Sequence, residues 1–589
     1  MKHNLKNLFC LFFGAFCLAV IFLSLRGGAF GSVCVAGGKE SLMPPFPSPI
    51  LSPRTNTAPN ANPCISGTAP VGAYVMANTG EIVRVGADGK FALTLPVCGF
   101  YCLKAVADGM ADAYVPRVEA PNSGIDIKMK PDASRRVVHG NAGRPSAFNI
   151  TDGGSSVHWF DIAGTPYGAW RKIPGIWQTA SDNFWTLGEY AFSATGNVKM
   201  VELKKPAEMK ARGWYKGDCH AHIVHGENIY RSNPMFAAFI GRAEGYDWLY
   251  LSGDFSNDGA KYDIKALSKK LSDENFLLNF NYEFPKNGRL GHFANVGAGA
   301  VRAAANPDTT TQFELVEKYI SSRGGIAFPV HPYYNTQIKT HGNRRYSGMT
   351  NKEVFLFLLC APDRMPLLDI FYSENAKPAF EFYLKLLDRG YRIGVASTSD
   401  AAIDVGRSPA TRRGATYVKM PKLSEAELLR GINGRRTSTT FDGHAIILSV
   451  DGMESGEILA PKGTHKLKVE YFCGVPARGF IEIYRDGKVW RTIPVSGDGE
   501  NVVYETEIGQ NASGYVLAVF RTDAKPSLYK AAASPVYFRG GDFVAPEILP
   551  FPRPFPKDLR EYISYLNYGE LTDVSTIDKI AEMIKRASK

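Results

Sequence analysis

Five short runs decide how this chain is read: GDCHAH (Gly217–His222), DWLYLSGD (Asp247–Asp254), FLLNFNYE (Phe276–Glu283), GIAFPVH (Gly325–His331) and YRIGVASTSD (Tyr391–Asp400). The last four are apolar, strand-favouring stretches, and each ends on a side chain able to bind a metal: Asp254, Glu283, His331 and Asp400. Strands are expected over Asp247–Gly253, Phe276–Tyr282, Gly325–Val330, Leu368–Ser373 and Tyr391–Thr398, with helical spacing near 261–273, 310–322 and 377–389. That alternation is the rhythm of a βα architecture. In barrels of this kind the C-terminal strand ends gather on one face, so donors distant in sequence converge there. Histidine is scarce, 11 in 589 residues, yet His220, His222 and His225 cluster behind Gly217-Asp218. In an extended segment His220 and His222 share a face, because side chains alternate with period two, and both rings can reach one ion. His-x-His alone is a weak signal; the ordered ligands at strand ends give it weight. Cys219 falls on the opposite face and reads as core.

Outward from these runs, 589 residues are too many for one hydrophobic core and predict several domains. Lys2 and Lys6, the apolar run Leu8–Leu25 and Arg26 have the layout of a secretory signal over residues 1–38. The run also approaches the roughly 17–25 residues that span a bilayer, so an uncleaved membrane tether is the competing reading. Both predict a secreted, periplasmic or cell-envelope protein. Residues 39–63 (including PPFPSPILSPRTNTAPNANP) read as a Pro-rich linker. Residues 64–133, with turns at Asn78-Thr79-Gly80 and Asp88-Gly89, resemble a small carboxypeptidase-regulatory-like β-sandwich. A β-rich connecting domain is expected over 134–205 and the βα unit over 206–438. Within it Ser424 and Glu427 form a capping box that opens a helix. A C-terminal β-sandwich is expected over 439–540, and a Pro-rich strap with a helical tail over 541–589. Nine cysteines are few for an exported chain of this length. Cys64, Cys98 and Cys102 can include a disulfide of undetermined pairing, while Cys219, Cys360 and Cys473 read as isolated buried thiols. The net charge of +11 comes from scattered Lys and Arg, so no nucleic-acid partner is expected.

The motifs GDCHAH, LSGD, YEF followed by GHFANV, AFPVHP, FYSEN and ASTSD, in that order, make the segment from about 210 to 440 resemble the PHP (polymerase and histidinol phosphatase) superfamily, and within it the CehA/McbA-type metallohydrolases. The resemblance implies a multidomain α/β plus all-β protein, with a central distorted (β/α)7 barrel flanked by N- and C-terminal β-sandwiches. It assigns His220, His222, Glu283 and Asp400 to one metal and Glu283, His292 and His331 to a second, with Glu283 bridging. Two divalent ions, zinc, manganese or iron, are thus expected. Phe255 and Ala402 stand where the family has the histidines of a third metal. His225 is then a remnant of that site, a solvent-facing loop residue or a substrate contact. Asp254 is expected beside the metals as a catalytic or supporting carboxylate. Glu374 in FYSEN is a substrate contact, a base or a plain strand-end carboxylate. Asp218 orients a ligand or caps a turn. Arg344 and Arg345 pair with an anionic substrate or lie on the surface. The implied activity is hydrolysis of a phosphoester, ester or carbamate of a small or anionic molecule, with water activated between two metals. The alternative is a catalytically degenerate, non-enzymatic protein that binds glycans or components of the cell envelope.

Overall fold

A computed structural model describes residues 62–77, 79–96, 98–152, 183–202, 206–222, 234–253, 264–283, 293–300, 316–331, 365–371, 376–402, 414–524 and 528–544. The expected leader, nearly all of the linker and the strap and tail helix lie outside the described residues. Among the described residues no helix is long and apolar enough to cross a membrane.

The first unit is a pair of small sheets. One orders Lys90–Thr94, Cys64–Thr68 and Asn122–Asp126; the other orders Ile82–Arg84, Tyr74–Ala77, Gly99–Val106 and Ala113–Ala120. Lys90–Thr94 shows the cause: Phe91 and Leu93 are buried while Lys90, Ala92 and Thr94 are exposed, the period-two pattern of a half-buried strand. Its inward residues share a core with Val75, Tyr101 and Leu103 of the other sheet. Gly80 and Gly89 make the two expected turns with φ of 93° and 73°, which glycine adopts without steric cost. Cys64 and Cys98 carry free thiols, so no disulfide joins them; Cys219 and Cys473 are free and buried, as read from the sequence. Next comes a ladder of Arg136–Asn141 with Glu189–Ala194, and a three-stranded sheet of Asn183–Thr186, Ser146–Asp152 and Val198–Glu202. Trp185 Nε1 donates to Glu244 Oε1 at 3.0 Å, tying this sheet to the central region.

The central region departs from the expected (β/α)7 barrel. Against 32 strands the described residues hold five α-helices: Ala207–Ala211, Pro234–Ala243, Ile264–Leu271, Ala376–Asp388 and Glu425–Asn433. That is too few for a helix after every barrel strand. The strands also fail to run one way. Trp214–His222, Trp248–Ser252 and Leu277–Asn281 are parallel neighbours. Phe293–Val296, however, pairs antiparallel with Ile326–Pro329, and Trp214–His222 pairs antiparallel with Gly414–Lys419 on its other edge. Among the described residues the sheet therefore does not close. It continues through Gly414–Lys419, Thr437–Phe441, Tyr529–Ala533, Gly514–Thr522, Gly479–Arg485 and Lys488–Val495 as part of one 12-stranded sheet. A four-stranded sheet of Met453–Glu454, Ala445–Val450, Gly463–Phe472 and Val502–Gln510 faces its distal part, with Ile446, Leu448, Val469, Ile481 and Phe520 in the shared core.

Trp248–Ser252 shows why the apolar runs are continuous. Leu249 and Leu251 belong to the core beneath the N-terminal units, while Trp248 and Tyr250 belong to a second core on the opposite face. With both faces covered, four successive positions, Trp248 to Leu251, are apolar, and the buried Ser252 at the strand end is hydrogen-bonded to Asn281. Ser424 caps the helix Glu425–Asn433, its Oγ accepting the Glu427 N–H at 3.3 Å. Gly431 lets this helix approach its sheet, because a Cβ there would stand 2.4 Å from Val418 Cγ1.

Candidate metal centre

His220 and His222 both lie in the strand Trp214–His222. The strand seats tightly against its neighbour because Gly217 has no side chain; a Cβ there would meet the Trp248 ring at 2.0 Å. Its other edge is shared end to end. Gly414–Lys419 pairs with residues 214–217, and Ala401–Ala402 pairs parallel with Ala221 and His222. The second pairing brings the preceding residue, Asp400, beside the histidines. Asp400 sits at φ 45°, a left-handed conformation that aspartate tolerates better than most residues. Glu283 follows the parallel strand Leu277–Asn281. The end of that strand is locked by Asn281, whose amide donates to the carbonyls of Cys219 and Asn295, each at 2.7 Å. His331 follows Ile326–Pro329, at φ 35°.

The donor atoms converge. Nε2 of His220 is 3.1 Å from Glu283 Oε1 and 3.4 Å from Asp400 Oδ1. Nε2 of His222 is 3.3 Å from Glu283 Oε2 and 3.1 Å from Asp400 Oδ1. Nε2 of His331 is 3.2 Å from Glu283 Oε1. An ion with bonds of about 2.0–2.2 Å spaces adjacent donors about 2.8–3.6 Å apart, depending on tetrahedral or octahedral geometry. All five contacts fall within that interval. His220 Nε2, moreover, is buried and makes no hydrogen bond. Three imidazoles and two carboxylates without a thiolate suit zinc, manganese or iron. The residues present therefore fit a divalent cation.

The electrostatics agree. Burial works against a proton on His220, but the charges of Glu283 and Asp400 outweigh it and raise the ring's pKa. Burial likewise opposes charge on His222, and the same two carboxylates overcome it, raising His222 to about 10. For Asp400, burial opposes ionisation and the three histidines reverse the balance, holding the carboxyl well below its usual range. The cluster favours positive charge, which protons on the rings supply and which a bound cation would supply in their place.

A further ring of polar groups surrounds the donors. Asp218 is buried; its Oδ1 accepts the His220 N–H at 2.9 Å and its Oδ2 accepts the Ser399 hydroxyl. It ties the histidine strand to the loop that carries Asp400, and its contact with the N–H two residues on serves both of its readings, orienting a ligand and capping a turn. Asp369, at the end of Leu367–Asp369, accepts from Thr398 Oγ1 at 2.7 Å and from the His331 N–H at 3.1 Å, both through Oδ2. Cys219 faces the core, where burial pushes its thiol well up.

The structure thus brings together His220, His222, Glu283, His331 and Asp400. His292, His225, Asp254, Glu374, Arg344 and Arg345 lie outside the described residues. Sequence reasoning gave no role to Asp369 or Thr398. The expected strand Leu368–Ser373 put Asp369 in its interior, whereas the real strand ends on it, the position that flagged the other ligands.

No family model matches the chain, and no curated protein matches it. One solved structure, of an engineered protein, is 13% identical over 52% of this chain and 80% of its own, with a TM-score of 0.14. That likeness is too low to carry an argument.

Proposed function

We propose that this protein is a metal-dependent hydrolase whose centre is held by His220, His222, Glu283, His331 and Asp400, and that it acts on a phosphoester, ester or carbamate. The observation that carries the reading is the use of both Glu283 oxygens: Oε1 faces His220 and His331, and Oε2 faces His222. A carboxylate so shared can bridge two cations. The motif resemblance to CehA/McbA-type metallohydrolases supports the same assignment, with His292 as the further ligand. When bound, such ions acidify a water and stabilise charge on the attacking and leaving oxygens.

The residues themselves set access and orientation. Glu283 and Asp400 are each 15% exposed while His220 is fully buried, so a substrate approaches from the carboxylate side. Asp218 and Asp369 anchor the backbones of His220 and His331 from behind, which keeps the rings aimed at the carboxylates. The test is elemental analysis of purified protein together with turnover on phosphomonoester, phosphodiester and aryl-ester substrates, with His222→Ala as control. About two divalent ions per chain and turnover abolished by both chelator and His222→Ala are expected. Metal-loaded protein without metal-dependent turnover on any of the three classes would overturn the proposal.

A further inference from the structure

The buried pair Asp369 and Thr398 touches the metal centre from the side away from solvent. We propose that Asp369 is a positioning residue that fixes His220 in the tautomer able to bind metal, acting through the hydroxyl of Thr398, and that the same carboxylate holds the backbone of His331. The inference rests on the reading of the five side chains as a metal centre.

The tautomer follows from counting donors. A threonine hydroxyl has one proton to donate and two lone pairs. Thr398 Oγ1 lies 2.7 Å from Asp369 Oδ2, an acceptor, so its proton is committed there. The same oxygen lies 3.4 Å from His220 Nδ1, and only its lone pairs remain to face that ring. The contact is thus Nδ1–H donating to Thr398, so the proton that a bound ion would displace is the one on Nε2, the nitrogen that faces Glu283 and Asp400. Metal-binding histidines ordinarily have the other ring nitrogen fixed by a carboxylate or carbonyl. Here a hydroxyl stands between carboxylate and imidazole. Asp369 Oδ1 is buried and makes no hydrogen bond, so both interactions rest on Oδ2 and orient the carboxylate for these two partners. The second of them, the His331 N–H, belongs to a residue at φ 35°, a backbone region sparsely populated by non-glycine residues. One buried carboxylate therefore ties together two histidines that come from separate strands.

Thr398→Val removes the relay while keeping the shape of the side chain, and Thr398→Ser restores the hydroxyl. Zinc affinity, measured by competition with a chromophoric chelator, is expected to fall 10–100-fold in Thr398→Val and in Asp369→Asn. It is expected to return to within about threefold of wild type in Thr398→Ser, since the hydroxyl is regained. In metal-free protein labelled with 15N-histidine, the His220 Nδ1–H resonance is expected to exchange slowly with water in wild type and rapidly in Thr398→Val. Unchanged zinc affinity in Thr398→Val, or no Nδ1–H signal for His220 in wild type, would overturn the proposal. If wild-type protein binds no zinc, the metal-centre reading fails, and the resonance in metal-free protein still decides the relay by itself.

Discussion

Asp400 offers a way to separate charge from backbone geometry at the centre. Its φ of 45° places it in the left-handed region, and its Oδ1 lies 3.1 Å from His222 Nε2 and 3.4 Å from His220 Nε2. Asparagine accepts this conformation as readily as aspartate but removes the negative charge; alanine removes the charge and dislikes the conformation. A residue with a Cβ and no local polar compensation loses roughly 1–2 kcal/mol there. Metal-free Asp400→Ala is therefore expected to be less stable than metal-free Asp400→Asn by about 1–2 kcal/mol in urea unfolding. Zinc affinity should follow the charge instead. Both variants lose an anionic ligand, and both should bind at least about 100-fold more weakly than wild type, the upper limit for losing only an outer partner of a ligand. The assays are denaturant unfolding in chelator and zinc titration of the folded variants. Wild-type affinity in Asp400→Asn would show that Asp400 is not a ligand. Equal stability of the two variants would refute the backbone argument.

Three further outcomes follow from groups outside the centre. His444 packs against Phe520, its Nδ1 lies 2.8 Å from Tyr471 Oη, and burial lowers it to about 4, against an opposing Asp442 and a reinforcing Lys530. The unfolded chain takes up this proton below about 6.5 and the fold does not, so stability falls as pH drops from 6.5 to 4, by about 3 kcal/mol in all. Wild type should show that slope in urea unfolding of the C-terminal sandwich and His444→Gln should lose it; equal slopes would refute the assignment. Lys104 is fully buried and 2.9 Å from Asp112, so Asp112→Ala should destabilise the N-terminal sandwich by about 3–5 kcal/mol in thermal or urea melts. A cost below about 1 kcal/mol would mean that the ammonium finds other compensation. Ser424→Ala should cost about 1 kcal/mol through loss of the N-cap, read by the same melts, and no measurable loss would show that this hydrogen bond contributes nothing.

Much of the site was legible in the sequence because its signals are local. Period-two placement put His220 and His222 on one face, and the ends of apolar runs marked Glu283, His331 and Asp400, all of which meet in the structure. The expected strand Asp247–Gly253 is observed as Trp248–Ser252, and the helical spacing at 377–389 as Ala376–Asp388. Barrel closure was not legible in the same way. An apolar run buried on both faces shows that a strand is covered, but nothing in it states which way its neighbours run. The antiparallel pairing of Phe293–Val296 with Ile326–Pro329 and the continuation from Gly414–Lys419 into Thr437–Phe441 are long-range choices. Asp369 escaped notice for a related reason: its role depends on Thr398, 29 positions away, and on the backbone of His331, 38 positions away.

The most direct test is anomalous diffraction from crystals of the full chain grown with zinc or manganese. A peak is predicted about 2.0–2.3 Å from His220 Nε2, His222 Nε2, Glu283 and Asp400, with a second between Glu283 and His331. Crystals that show no anomalous peak among these five side chains at millimolar metal would contradict the assignment of this cluster as a metal centre.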